Sequence, residues 1–225
     1  MKDKILKTEW ELQEELTFRW SRKGLSIAGQ RLFLASWEVM INSWEINDAS
    51  KYWAEPSIDF VFLDRKGNIW LVELKRYIST PRDAWVALCQ VTHRAIALKR
   101  TYTWRNLENA FRDAYSGNHG RVDNIQLSDN LSERHKLFFG LDKPISINEF
   151  GINQFQRVVA ALKFSSNWKD ICEEFANYDL KYLQNRISNL YKVTAKTKEF
   201  SRFMSLNHNE FLDLENYPVQ NLLID

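Results

Sequence analysis

Asp59, Glu73 and Lys75 are the residues whose types and spacing combine most directly into chemistry. Asp59 sits inside the apolar run Ile58-Asp59-Phe60-Val61-Phe62-Leu63, and Glu73-Leu74-Lys75 comes late in the run Asn68-Ile69-Trp70-Leu71-Val72-Glu73-Leu74-Lys75-Arg76. Between them Asp64-Arg65-Lys66-Gly67 has the composition of a turn, with glycine available for positive φ. A hairpin of this length brings Asp59 opposite Val72 or Glu73, so two carboxylates converge at one end of it. Carboxylates that close repel unless one is protonated or a cation stands between them. A hard divalent ion such as Mg²⁺, for which Mn²⁺ substitutes, suits such oxygens. The ammonium of Lys75 then positions a water or stabilises developing negative charge. A metal and a lysine beside a phosphodiester make a hydrolysis site.

The elements that must carry these groups follow from patterning. Strands have period two, so Glu73 and Lys75 share a face with Ile69 and Leu71, while Trp70, Val72 and Leu74 occupy the other. Both runs are apolar on both faces, as in strands buried inside an α/β layer. Unpartnered charges there would cost several kcal/mol. The competing explanation for the trio is a structural ion-pair cluster at a sheet edge.

Upstream, residues 8–22 read as a helix with Leu12 and Leu16 on one face. Ile27, Leu34, Trp37 and Ile41 recur at helical spacing and predict a second helix over 27–42. Residues 43–48 predict a short strand. Downstream, Thr80-Pro81 with Asp83 predicts a capped helix running to about residue 100, followed by a helix over 106–115. Residues 136–141, Lys-Leu-Phe-Phe-Gly-Leu, predict a further strand. Lys143-Pro144 marks a boundary, dividing the chain into 1–144 and 145–225, with the second part mainly helical. The fold class expected is therefore α/β.

Ile58-Asp59 followed by Glu73-Leu74-Lys75 after a short hairpin resembles the signature of the PD-(D/E)XK nuclease superfamily, and the order of elements extends the likeness over residues 25–141. The resemblance implies a restriction-endonuclease-like core, a mixed central sheet flanked by helices. It implies that Asp59 and Glu73 bind Mg²⁺ with the Leu74 main-chain carbonyl as a further ligand, and that Lys75 assists the attacking water. The proline usually adjacent to the aspartate is displaced to Pro56. The first helix of the family often donates a glutamate. Here Gln30 stands where an acid is expected, and Glu38 is the alternative donor. Gln90, on the helix after the motif, matches a glutamine that some members carry, and Arg94 shares its face; both could touch a phosphate.

Composition excludes several other classes. The 225 residues are 44% hydrophobic and 27% charged, with only 7 glycines and 4 prolines, which is globular and neither disordered nor repetitive. The net charge of +2 does not by itself advertise nucleic acid. Cys89 and Cys172 show no disulfide framework or zinc spacing, and His93, His119 and His135 are scattered. No Gly-rich phosphate loop suggests a nucleotide cofactor. No apolar run is long enough for a membrane span, and a cytoplasmic location is expected.

Basic residues do cluster locally, over 181–202. Two predicted helices with a tight turn at 177–179, and then a possible hairpin, resemble a winged helix-turn-helix. Lys181, Gln184, Asn185 and Arg186 would face a DNA groove, with Lys196 and Lys198 approaching phosphates from the wing. The function expected is a metal-dependent endonuclease acting on DNA, as a homodimer or with a partner protein. The alternative is a catalytically weak nuclease-fold module that binds DNA or protein within a larger complex.

Overall fold

A computed structural model describes residues 8–27, 29–40, 57–80, 130–145, 155–164 and 209–213, and single positions 83, 86, 87, 90, 91, 94, 95, 98, 108, 109 and 112. The elements are α1 (Glu9–Lys23), β1 (Leu25–Ile27), β2 (Gln30–Met40), β3 (Ser57–Leu63), β4 (Ile69–Ile78), α2 (Leu131–Phe139), β5 (Phe155–Phe164) and β6 (Asn209–Asp213). The described positions from 83 to 98 are helical and are called here the post-hairpin helix. Glu108, Asn109 and Arg112 are helical too, as expected for 106–115. The architecture is α/β: one sheet in the order β1-β2-β3-β4-β5-β6, antiparallel from β1 to β4 and parallel from β4 to β6.

Helix α1 begins where the sequence supplies a capping box. The Glu11 N–H donates to Thr8 Oγ1 and the Thr8 N–H to Glu11 Oε2, each at 3.1 Å, satisfying two N-terminal donors. It ends at Gly24, whose φ of 75° favours glycine. A Cβ there would also stand 2.3 Å from the Leu32 carbonyl oxygen and 2.4 Å from Phe138 Cζ. The close approach of α1's end to β2 and α2 therefore needs a residue without a side chain.

The sheet has an apolar layer on each face. On one, Leu12, Leu16 and Trp20 of α1 pack with Leu34, Trp37, Phe60, Phe62, Trp70, Val72 and Leu74. Trp20 meets Phe60 and Phe62 edge-on, at centroid distances of 4.8 and 5.4 Å. On the other, Ala87, Val91, Ala95 and Leu98 of the post-hairpin helix and Leu131 of α2 pack with Phe33, Ala35, Val61, Leu63, Ile69 and Leu71. Helices covering both faces of a buried sheet explain why β3 and β4 are apolar on both sides.

Two expectations are corrected. The predicted helix over 27–42 is strand β2 from residue 30 to 40. β2 is buried on both faces, and a bulge between Leu34 and Ser36 shifts its alternation, so its apolar residues mimic helical spacing. The predicted strand over 136–141 is the end of α2. Asn130 caps that helix by accepting from the Glu133 N–H at 2.9 Å, and Gly140 closes it in the left-handed region at φ 59°. Its buried positions Leu131, Arg134 and His135 have helical spacing, while Leu137 is exposed. Beyond residue 145, β5 and β6 are strands that extend the sheet from β4, and the rest of the part expected to be mainly helical lies outside the described residues. The predicted strand at 43–48 lies outside the described residues.

Candidate active site

The β3–β4 hairpin is pinned at its closed end. Asp64 Oδ1 accepts from the Lys66 and Asn68 N–H groups at 2.8 and 2.9 Å, and Asp64 Oδ2 from Asn68 Nδ2 at 2.8 Å. Gly67 has the positive φ, 81°, that the turn requires. This turn fixes the register Leu63↔Ile69, Phe62↔Trp70, Val61↔Leu71 and Phe60↔Val72. One further step sets Asp59 opposite Glu73. On the other side of β3, Trp37 pairs with Phe60 and Val39 with Ile58, so Glu38 stands opposite Asp59. Glu38, Asp59 and Glu73 thus form a row across three neighbouring strands, one step beyond the last β3–β4 pair and midway along β4.

The arrangement of charges around this row is specific. Glu73 is 1% exposed. Lys75 Nζ lies 2.7 Å from Glu73 Oε1, and Arg94 of the post-hairpin helix pairs through Nη1 with Glu73 Oε2. Two cations on one buried carboxylate offset the cost of removing it from water. Lys75 also lies 3.8 Å from Glu9 Oε1 in the first turn of α1. Gln13, one turn further along α1, donates through Nε2 to Glu38 Oε1. Glu38 itself has a φ of 48°, an uncommon conformation for a non-glycine residue.

Asp59 is half-buried, and its Oδ2 accepts from the Leu74 N–H at 2.6 Å. Burial pushes its carboxyl above the ordinary carboxylate range, with Glu38 adding to the rise. Arg94, Lys75 and the Leu74 N–H oppose it without cancelling it. In an extended strand the N–H and C=O of one residue point to the same side. The Leu74 carbonyl is therefore also directed toward β3 and Asp59.

The residues singled out in the sequence fall into three groups. Asp59, Glu73, Leu74, Lys75 and Glu38 come together. Glu38 does so from strand β2, not from the helix on which it was expected. Gln30 lies at the opposite end of β2, where it lines a cavity of about 380 Å³ with Arg65, Lys66 and Asn68. Gln90 and Arg94 are both on the post-hairpin helix, but Arg94 is directed to Glu73 and is not a solvated face residue. Lys181, Gln184, Asn185, Arg186, Lys196 and Lys198 lie outside the described residues. Sequence reasoning missed Glu9 and Gln13, although their spacing of four on an amphipathic helix puts them on one face.

Among the described residues no three His, Cys, Asp or Glu side chains are already grouped as a metal cage. The donor set nonetheless fits a hard divalent ion chemically: the carboxylates of Asp59 and Glu73 and the Leu74 carbonyl are all oxygen ligands. Among the described residues no helix is long and apolar enough to cross a membrane. No family model matches this chain, and neither a curated protein nor a solved structure matches it.

Proposed function

We propose that this chain is a metal-dependent endonuclease of restriction-endonuclease-like fold, hydrolysing DNA phosphodiester bonds. The observation that carries the reading is Asp59 opposite Glu73 at the open end of a buried hairpin, with Lys75 beside them and Glu38 next in the row. A helix, three antiparallel strands, a helical segment and a parallel strand form a core in keeping with that fold. Asp59, Glu73 and the Leu74 carbonyl would hold Mg²⁺ or Mn²⁺, which when bound supplies Lewis acidity at the phosphoryl oxygens. Lys75, partly exposed, orients the attacking water and neutralises developing charge. Glu9 and Glu73 hold its ammonium in place. In this reading the basic residues from Lys181 to Lys198 contact DNA, and a homodimer or a partner protein supplies a second strand's cut.

A second reading has an observation in its favour. Lys75 and Arg94 already neutralise Glu73, as they would in a nuclease-fold module that binds DNA or protein without cutting. Cleavage of supercoiled and linear DNA with Mg²⁺ or Mn²⁺ separates the two. Cutting by the wild type that is lost in folded Asp59→Ala and Lys75→Ala supports the endonuclease. An inert wild type that still binds DNA supports the module.

A further inference from the structure

Arg94 reaches Glu73 from a different element, the post-hairpin helix, and occupies Oε2, while Lys75 occupies Oε1. On the metal-dependent reading, Glu73 is wanted by two cations that cannot share one oxygen: the guanidinium and a divalent ion. Four residues before Arg94, Gln90 carries a buried Oε1 that has no hydrogen-bond partner among the described residues. Side chains four apart on a helix are neighbours. An amide oxygen accepts and a guanidinium carries five donors, so the two are complementary. A buried acceptor left without a donor is costly.

We infer that Arg94 is an exchangeable internal counter-ion, which holds Glu73 when no divalent ion is bound and turns to Gln90 Oε1 when one takes its place. The inference rests on the metal-binding reading of Asp59 and Glu73 and assigns that site its regulation. The guanidinium keeps a buried carboxylate compensated in the metal-free protein, as burial at 1% exposure demands. Breaking that pair lowers the apparent metal affinity, and the new bond to Gln90 recovers part of the loss. Arg94 is thus a positioning residue that competes with the ion for one oxygen.

The test is calorimetric titration of Mn²⁺ into the full-length chain, with thermal melting of the same samples. Arg94→Met removes the competitor, and its Mn²⁺ dissociation constant is expected to fall about tenfold, within the usual range of coupling between sites. Its melting temperature should be lower without metal and rise more than the wild type's when Mn²⁺ is added. Gln90→Leu removes the alternative acceptor without touching Glu73, and should bind Mn²⁺ more weakly while melting no lower. Should folded Arg94→Met bind Mn²⁺ no tighter than a wild type that does bind it, the exchange is overturned while the metal site stands. Should Arg94→Met not fold, unchanged Mn²⁺ affinity in Gln90→Leu overturns the exchange equally. Absence of Mn²⁺ binding in both wild type and Arg94→Met overturns the metal reading and the exchange together.

Discussion

Asp59 and Glu73 face each other one step beyond Phe60 and Val72, the last paired residues of the β3–β4 hairpin, and the two carboxylates are stabilised in different ways. Glu73 is buried and held by Lys75 and Arg94. Asp59 takes a short backbone hydrogen bond from Leu74, and burial raises its pKa despite the two cations nearby. The pair therefore divides its roles: Glu73 is compensated by two cations, and burial inclines Asp59 toward protonation until a further cation arrives.

The raised pKa of Asp59 has a definite sign in stability. Between the ordinary carboxylate value and the raised one, the folded chain binds more protons than the unfolded chain, so stability falls as pH rises through that window. Asp59→Asn removes the ionisation and keeps an acceptor for the Leu74 N–H. In the presence of a chelator it should melt higher than wild type at neutral pH, with the gap closing as pH falls through the raised value and gone below the ordinary carboxylate value. Melts that run parallel across the whole pH range would show that Asp59 is not held in a desolvated site.

Glu73→Gln should have the opposite effect on stability. Arg94 and Lys75 are 14% and 24% exposed, so removing their shared counter-charge leaves two largely desolvated cations facing each other. Losing one partner of a buried pair costs about 3–5 kcal/mol, and their partial exposure points to the lower end. A urea midpoint well below wild type is expected, with substantial recovery in the double variant Glu73→Gln, Arg94→Met. Strictly additive losses would mean that Glu73 and Arg94 are not coupled.

Lys75 should separate chemistry from folding. Lys75→Met keeps the aliphatic stem, while the cation beside Glu73 and Glu9 is lost. If the lysine acts on the attacking water, DNA cleavage should fall about a hundredfold or more, with far-ultraviolet circular dichroism unchanged. Cleavage within a few-fold of wild type in a folded variant would remove Lys75 from the proposed machinery.

The legibility of these features in the sequence differs by element, for physical reasons. The hairpin could be read because a polar turn with glycine at position 67 separates two runs that each break their apolar pattern with a charge. The post-hairpin helix could be read from Thr80 and Asp83, which cap it reciprocally through the Asp83 and Thr80 N–H groups. β2 was misread because burial on both faces erases period two, and its bulge then supplies spacing close to a helix's. β5 suffers likewise: Val158, Val159, Ala160 and Ala161 are all buried, and such a run does not announce a strand by alternation. The pairing of Arg94 with Glu73 joins residues on different elements, and no local pattern encodes it. The union of Glu38 with Asp59 depends on the β2 register, which followed from no turn signal in the sequence.

His135 supplies a second pH dependence, remote from the carboxylate row. It is buried in α2, and its Nε2 lies 2.8 Å from the Asp64 carbonyl oxygen at the closed end of the hairpin. A carbonyl only accepts, so Nε2 carries the hydrogen and ties α2 to the turn. Burial pushes its pKa below 6.5, while the Asp64 carbonyl and carboxylate oppose that shift. Between the lowered folded value and 6.5, the unfolded chain binds more protons, so stability is fully present above 6.5 and declines as pH falls through the window. His135→Gln retains a donor to Asp64 and does not titrate. Its urea midpoint should therefore vary less than the wild type's between pH 7 and about pH 5, whatever the absolute difference between them. An equally steep decline in the variant would place the acid sensitivity elsewhere and leave His135 with a purely structural role at the hairpin's closed end.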